Sequence, residues 1–387
     1  MLHISVGHSN DPDSQAAIAE VLEQCWSDFA GVKPKAGLLL AAIDYDYAWI
    51  LQQIHRAFPG IELIGGTTDG EISSMLGFEQ DSLVLMVFCS EQVEIRAGMG
   101  RNVAQAPLSA AKQAVERACA GNPSNICTAD IQLCLAIPDG ITHDSAASLA
   151  SLKQVLGANI PIVGGTAGDH ARYQQTYQFC HTEVESDAIA ILLFSGPLRV
   201  SYGVASGWQP VGRQGRATKV DGNLVYEIDG QPALAFYHNY LGGLSPSSHY
   251  PLAVFDAEGK QFYLRSPLAS DAKSGSVSFF GGVPAGAIVQ ITEASSEKIL
   301  SAVAASVSQA MNSYTGTQPA AALFFSCEAR RHLLGTRAKE EYLIAKSLLP
   351  EALPSCGFYA YSELAPLKVQ GESQMHNETF VTLVLGT

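Results

Sequence analysis

Six residues carry side chains suited to holding a polar ligand, and they fall in loops that follow apolar runs. Asp69 and Glu71 follow "IELIGG", Asp169 follows "IPIVGG", and Glu363 follows "GFYAYS". Cys327 and Arg330 sit in "FFSCEARRH". Carboxylates at strand ends suit an ammonium or guanidinium group, and ligand sites in α/β sheets gather outside the carboxyl ends of strands. An Arg fork suits a carboxylate or propionate. With Glu363 brought alongside Arg330, the pocket would carry both charge signs and take an amino-acid-like ligand. Two readings stand for the acidic loops, because Asp and Glu also cap helices and satisfy backbone N–H groups in tight turns. Arg330 likewise reads either as a ligand contact or as half of a structural Arg–Glu pair.

The elements that position these residues recur. "AGLLLAAIDYD", "IQLCLAIPDGIT" and "AAALFFSCEARRH" are continuous apolar runs, the signature of strands buried on both faces. Each leads through a polar loop to a helical segment, then to a short strand ending in glycine, an acidic loop and a last strand ("DSLVLMVF", "DAIAILLF", "NETFVTLVL"). Aligning Gly65 with Gly165 superimposes the first two units, and "CGFYAYSELAP" takes the place of "GGTTDGEIS" in a third. The units are near 60 residues long and unevenly spaced, unlike a solenoid. The fold class is α/β, with two domains built from repeated strand-helix-strand units, a β-rich segment over 198–292 and a boundary near residue 222. A fourth copy within 200–300 does not align.

Further helices are expected at "SQAAIAEVLEQCWSDF", with Ile18, Val21, Leu22, Cys25 and Phe29 inward, and at "EKILSAVAASVSQAMNSY", with Ile299, Val303, Val307 and Met311 inward. "TRAKEEYLIAKSLLPEALPS" is expected to bury Tyr342, Leu343, Ala345 and Leu349. "DGQPALAFYHNYLGG" should open a helix at Gln231–Pro232 and end it at Gly242–Gly243.

Composition narrows the functional classes. The chain has 387 residues, 47% hydrophobic and 16% charged, with a net charge of −14. Such a charge repels phosphate backbones, so nucleic acid is not expected as a partner. No stretch reads as a signal peptide or a membrane span, and the scattered cysteines read as buried reduced thiols, so a cytoplasmic protein without a membrane partner is expected. There is no GxSxG, HExxH, P-loop or GxGxxG after a strand. Cys327, Glu328 and His332 are close in sequence, which does not establish a nucleophile–base geometry.

"GGTTDGEIS", "GGTAGDHARY", "SGWQPVG", "VDGNLVYEIDGQPALAFY", "FSCEARRHLLGTRAKEE" and "GFYAYSELAP" together resemble the FIST proteins, over almost the whole chain. The resemblance implies a FIST N-type domain over 1–222 and a FIST C-type domain over 223–387. It implies a sensory input module that binds a small ligand and signals to a partner such as a histidine kinase or a cyclic-di-GMP enzyme. Some stand-alone FIST proteins of this length bind haem and sense nitric oxide, so haem is a cofactor reading here, with His238 and His170 as ligand candidates. His143, His332 and His376 lie in other polar segments. The chain departs from the family pattern at Ser362, where Gly is commoner, and at His170. The alternatives are an enzyme using the Cys327/Arg330/Glu363 cluster and an interaction scaffold with no ligand; the expectation is a non-enzyme.

Overall fold

The computed structural model describes residues 2–27, 33–120, 130–141, 145–256, 258–259, 261–368 and 371–387. Three six-stranded mixed sheets dominate it, each built on one plan. The first takes its strands in the order His3–Ser9, Leu83–Cys89, Ala36–Ala41, Glu62–Thr67. The second runs Glu94–Arg101, Ala188–Ser195, Ile131–Pro138, Ile162–Gly165, and the third Arg199–Ala205, Phe380–Gly386, Pro319–Cys327, Ser355–Ala360. In every sheet the last two of these strands pair in parallel, and the other pairings are antiparallel.

Each sheet is completed by a hairpin donated from another unit. Glu71–Ser73 and Gly77–Glu79 leave the first unit and pair with Ser355–Ala360 of the third. Gln178–Cys180 and Glu183–Glu185 extend the first sheet, and Glu363–Pro366 and Ser373–His376 extend the second. The exchange is cyclic, so no unit completes its own sheet.

The three inner faces form one apolar core that includes Leu38, Met86 and Phe88, Leu135 and Phe194, and Phe325 and Phe358. Helices cover the outer faces: Ser14–Ser27 and Tyr47–Ala57 on the first, Pro107–Cys119 and Ser145–Leu156 on the second, Ser296–Ser313 and Lys339–Ser347 on the third. The shared plan explains one glycine of each repeat. Gly65, Gly164 and Gly357 sit opposite Leu39, Ala136 and Phe324 on the neighbouring parallel strand, and a Cβ at any of them would collide with that residue's carbonyl oxygen. The equivalence is therefore Gly65 with Gly164, one residue from the expected Gly65–Gly165 alignment.

No fourth α/β unit lies within 200–300. Arg199–Ala205 is the edge strand of the third sheet, and its covering helix begins at Ser296. The β-rich segment is inserted between them: a nine-stranded antiparallel sheet from Gln209 to Glu293, with the helix Ala233–Leu241 packed on it. That helix opens at Ala233 rather than at Gln231–Pro232, which pairs as a short strand with Glu227–Ile228, and it ends as expected at Gly242, which takes the left-handed conformation (φ 62°). Residue 222, expected as a boundary, lies in the turn between Gly215–Asp221 and Leu224–Ile228, and the third sheet draws strands from both sides of it.

Helix faces were largely anticipated. Ile18, Val21, Cys25, Ile299, Val303 and Val307 are buried, while Leu22 and Met311 are partly buried; Phe29 lies outside the described residues. Tyr342 and Ala345 are buried, Leu349 is partly buried, but Leu343 is 58% exposed. The inward face that Leu343 was expected to share is taken by Glu341, fully buried as the partner of Arg330. Six cysteines (Cys25, Cys89, Cys134, Cys180, Cys327 and Cys356) are buried free thiols, as expected for those in apolar runs, whereas Cys119 is disulfide-bonded.

Candidate functional site

The donated hairpins all begin at the same structural position. Glu71, Gln178 and Glu363 stand opposite Phe358, Gly66 and Gly165 respectively. Each uses a side-chain oxygen to accept the backbone N–H where a long strand starts. Glu71 accepts from Ser82 at 3.2 Å, Gln178 from Ala188 at 3.1 Å, and Glu363 from Thr379 at 3.1 Å. Glu71 and Glu363 also accept from the Ser82 and Thr379 hydroxyls. Both carboxyls are fully buried, so burial pushes Glu71 up to about 8 and Glu363 well above the usual carboxylate range. Neither lines a cavity; both tie hairpin to strand. The second-unit counterpart of these glutamates is Gln178, and the expected analogue Asp169 lies elsewhere in the loop.

Six residues separate Gly65 from Glu71 and Gly357 from Glu363, but fourteen separate Gly164 from Gln178. The extra eight form the loop Asp169–Thr176. Asp169 organises it: Oδ1 accepts from the Tyr173 N–H (2.9 Å) and the Tyr361 hydroxyl, and Oδ2 from the Gln174 and Gln175 N–H groups (2.7 and 3.0 Å). Asp69 fastens it from the first unit, accepting from the Ala171 N–H at 2.7 Å while pairing with Arg331 at 2.8 Å. Burial raises Asp69 to about 6 although Arg331 opposes the shift. His170, Ala171 and Tyr173 all take positive φ (57°, 55° and 50°), conformations costly for residues with a Cβ. The loop thus reaches all three units and aims Tyr173 at the space beneath the β-rich insertion.

That space is a pair of adjoining cavities. One, of about 320 Å³, lies among Tyr173, Tyr361, Cys327, Glu328, Ala329 and the insertion residues Pro246–Ser248, Ser266–Leu268 and Phe280. The other, of about 420 Å³, is lined by Gly140, Ile141, Ser145, Ser362, Met375, Asn223, Phe279, Phe280 and Gly281. Tyr173, Leu268 and Phe280 line both. Tyr173 stacks on Tyr361 with ring centroids 4.7 Å apart and planes 17° from parallel, and its hydroxyl donates to Glu328 at 3.3 Å.

Of the six expected ligand contacts, only Cys327 faces a cavity. Its thiol is pushed far up by burial and by the neighbouring Glu363 and Glu378, which keeps it protonated and a poor nucleophile. Arg330 is fully buried and turned inward. Nε and Nη2 bind the Glu341 carboxylate (2.9 and 2.6 Å), Nη1 donates to the Ser206 carbonyl, and Nη2 also donates to the Ile299 carbonyl. It therefore clamps the chain on either side of the insertion, and its partner is Glu341 rather than Glu363. Arg331, its neighbour, is the residue that joins the acidic loops.

The haem candidates stand apart from the two central cavities. His238 is exposed near the end of its helix, and His170 points Nδ1 at Asp81 across 3.3 Å; neither lines the central cavities. His143 lies outside the described residues. Among the described residues no cluster of three metal-ligating side chains occurs. Sequence reasoning missed Tyr173, Leu268 and Phe280 as cavity walls. The length difference between repeats, eight extra residues before Gln178, was the readable sign of Tyr173.

The fold is a mixed α/β architecture with a pair of cavities between the repeat core and the insertion. The sequence matches the FIST N domain over residues 35–231 and the FIST C domain over residues 233–366. The chain belongs to the FIST family, whose domains are sensory and bind small ligands. It is similar to an uncharacterised protein of Methanocaldococcus jannaschii, with 34% identity over 125 residues. That match covers 30% of this chain and 24% of the relative's length. A cyanuric acid hydrolase from A. caulinodans aligns over 100% of this chain and 99% of its own at 11% identity, with a TM-score of 0.37, too low to carry an argument. Among the described residues no helix is long and apolar enough to cross a membrane.

Proposed function

We propose that the paired cavities are the sensory site and that a small ligand filling them fixes the β-rich insertion against the three-unit core. A separate cytoplasmic partner, a histidine kinase or a cyclic-di-GMP enzyme, reads that arrangement. The observation that carries this reading is that the walls come from three separate parts of the chain: Gly140 and Tyr173 from the second unit, Cys327, Glu328 and Tyr361 from the third, and Ser247, Leu268 and Phe280 from the insertion. A ligand shifts such an arrangement only through different affinity for its two states. The site works by binding, with no turnover required of Cys327.

The test is a thermal-shift screen of amino acids, amines and other small metabolites, repeated on Ser266→Trp, which fills the first cavity. A ligand present at 100 times its dissociation constant adds about 2.7 kcal/mol to stability. The expected result is at least one stabilising compound whose effect disappears in Ser266→Trp. Stabilisation that persists unchanged in that variant would place the site elsewhere and overturn the reading.

A further inference from the structure

The cavity walls have one sign of charge. Glu328 lines the first cavity, and no lysine or arginine lines either cavity among the described residues. The guanidiniums on flanking elements are committed inward. Arg265 donates to the carbonyls of Leu264, Gly282 and Met375, Arg330 holds Glu341, and Arg331 holds Asp69. Behind the wall stands a second acid, largely protonated at neutral pH. Glu378 is fully buried, takes a left-handed backbone (φ 60°), and neither of its carboxylate oxygens has a hydrogen-bond partner. Burial and then the charge of Glu328 raise it to about 8, against the pull of the nearby Ser266 and Arg330 side chains. Above these acids the cavity presents Tyr173, Tyr361 and Phe280, with Phe279, Met375 and Ile141 continuing the apolar wall into the second cavity.

We propose that the ligand is an organic ammonium ion with an apolar body and no carboxylate, its cationic head held by Glu328 and the Tyr173–Tyr361–Phe280 rings and its body extending into the second cavity. This rests on the paired cavities being the sensory site. A cation gains from aromatic faces and from a charge-assisted hydrogen bond to a carboxylate, both stronger where water is excluded. An α-amino acid brings the same ammonium, but its carboxylate would enter a negatively charged wall with no basic partner, an unpaired buried charge. The geometry therefore departs from the amino-acid-like ligand expected from the sequence. That expectation relied on Arg330, which does not reach the cavity.

Titration calorimetry with matched pairs, tyramine against tyrosine and phenethylamine against phenylalanine, isolates the carboxylate. Each amine should bind roughly tenfold or more tightly than its amino acid, the change expected when an unpaired buried charge is avoided. Glu328→Gln should remove most of that preference. Tyr173→Ala, at a residue 46% exposed and so tolerant of substitution, should weaken the amines while the protein stays folded. An amino acid binding as tightly as its amine, or no binding by any amine, would overturn the cationic ligand. If the amino acids bind and Ser266→Trp abolishes that binding, the cavity remains the sensory site and only its ligand class is wrong. If amines bind equally well to Ser266→Trp, both readings fall.

Discussion

The hairpin-start positions and the Asp169–Thr176 loop lie a few residues apart in the same repeat, yet they behave differently. Glu71, Gln178 and Glu363 occupy one position in three copies and do one job, accepting the N–H that starts the next strand. A neutral amide serves there as well as a carboxylate, so the charge is incidental to the task. Asp169–Thr176 exists in one copy only, and it is the loop that carries Tyr173 to the cavities. The insertion Gln209–Glu293 is likewise unique to the third unit and supplies the opposite wall. What the copies share holds the frame together, and what one copy adds supplies the aromatic and apolar walls common to both cavities.

The hardest test of that division is Arg330. Replacing it with Ala leaves Glu341 buried without its counter-charge and frees the carbonyls of Ser206 and Ile299 on either side of the insertion. The expected loss is about 3–5 kcal/mol in urea denaturation, the range for breaking one partner out of a buried pair. Arg330→Met with Glu341→Leu should recover much of it, because no lone charge remains. If Arg330→Ala instead left stability intact and abolished amine binding, Arg330 would belong to the site after all.

Next come the repeated glycines. Gly65→Ala, Gly164→Ala and Gly357→Ala each drive a methyl group into the carbonyl of a neighbouring strand, so each should destabilise by about 3 kcal/mol. The comparison is sharpened by equality: three similar losses on denaturation mark a frame in which the copies carry equal weight. One tolerant glycine would show that its unit is held differently.

Burial sets a pH dependence on the same frame. The folded-state values of Glu71 and Glu378, about 8, and of Asp69, about 6, lie above their ordinary values, so the folded protein binds more protons than the unfolded chain between about pH 4.5 and 8. Their contribution to stability is present at low pH and lost as pH rises through the folded values. Buried His8 and His376, lowered to about 4, act in the opposite sense below about pH 6.5, so melting temperature should fall most clearly from pH 6.5 to pH 8. Glu71→Gln, which copies Gln178, should flatten that fall while changing stability at pH 5 by no more than about 1 kcal/mol. An unchanged slope in the variant would mean that Glu71 is ionised throughout.

Much of the frame was legible in the sequence because it repeats. Continuous apolar runs gave the central strands, and glycine followed six residues later by glutamate matched the first and third units. The slip of Gly65 onto Gly165 arose because a one-residue offset also aligns Asp69 with Asp169, and an acidic residue is an easier landmark than a glycine chosen by a carbonyl on the neighbouring strand. The hairpin exchange was not legible, since period-two patterning says that a strand is buried but not which sheet receives it. The site was read least well. Its charged candidates were ranked by chemistry, but Arg330 and Glu363 spend theirs inside the protein, and the cavity is walled by aromatic residues whose sequence signal is that of any core.

Tyr173 and Leu343 separate the two kinds of surface at the small end of the scale. Tyr173→Ala loses a stacked ring and one hydroxyl contact, about 1 kcal/mol, and its larger consequence is in amine binding. Leu343 is the more exposed of the two yet serves neither frame nor cavity. It lies one residue beyond the inward pair Glu341 and Tyr342 on Lys339–Ser347, a rotation of about 100° that carries its side chain to solvent. Leu343→Lys should therefore alter stability by less than about 0.5 kcal/mol, whereas Tyr342→Ala, one position earlier and packed near Phe324, should cost about 3–5 kcal/mol. Denaturation of the two variants side by side reads the helix register directly. Equal losses would mean that Leu343 is covered in solution, by a second copy or by the partner that reads the sensor, and a fall in that loss on dilution would identify the second copy.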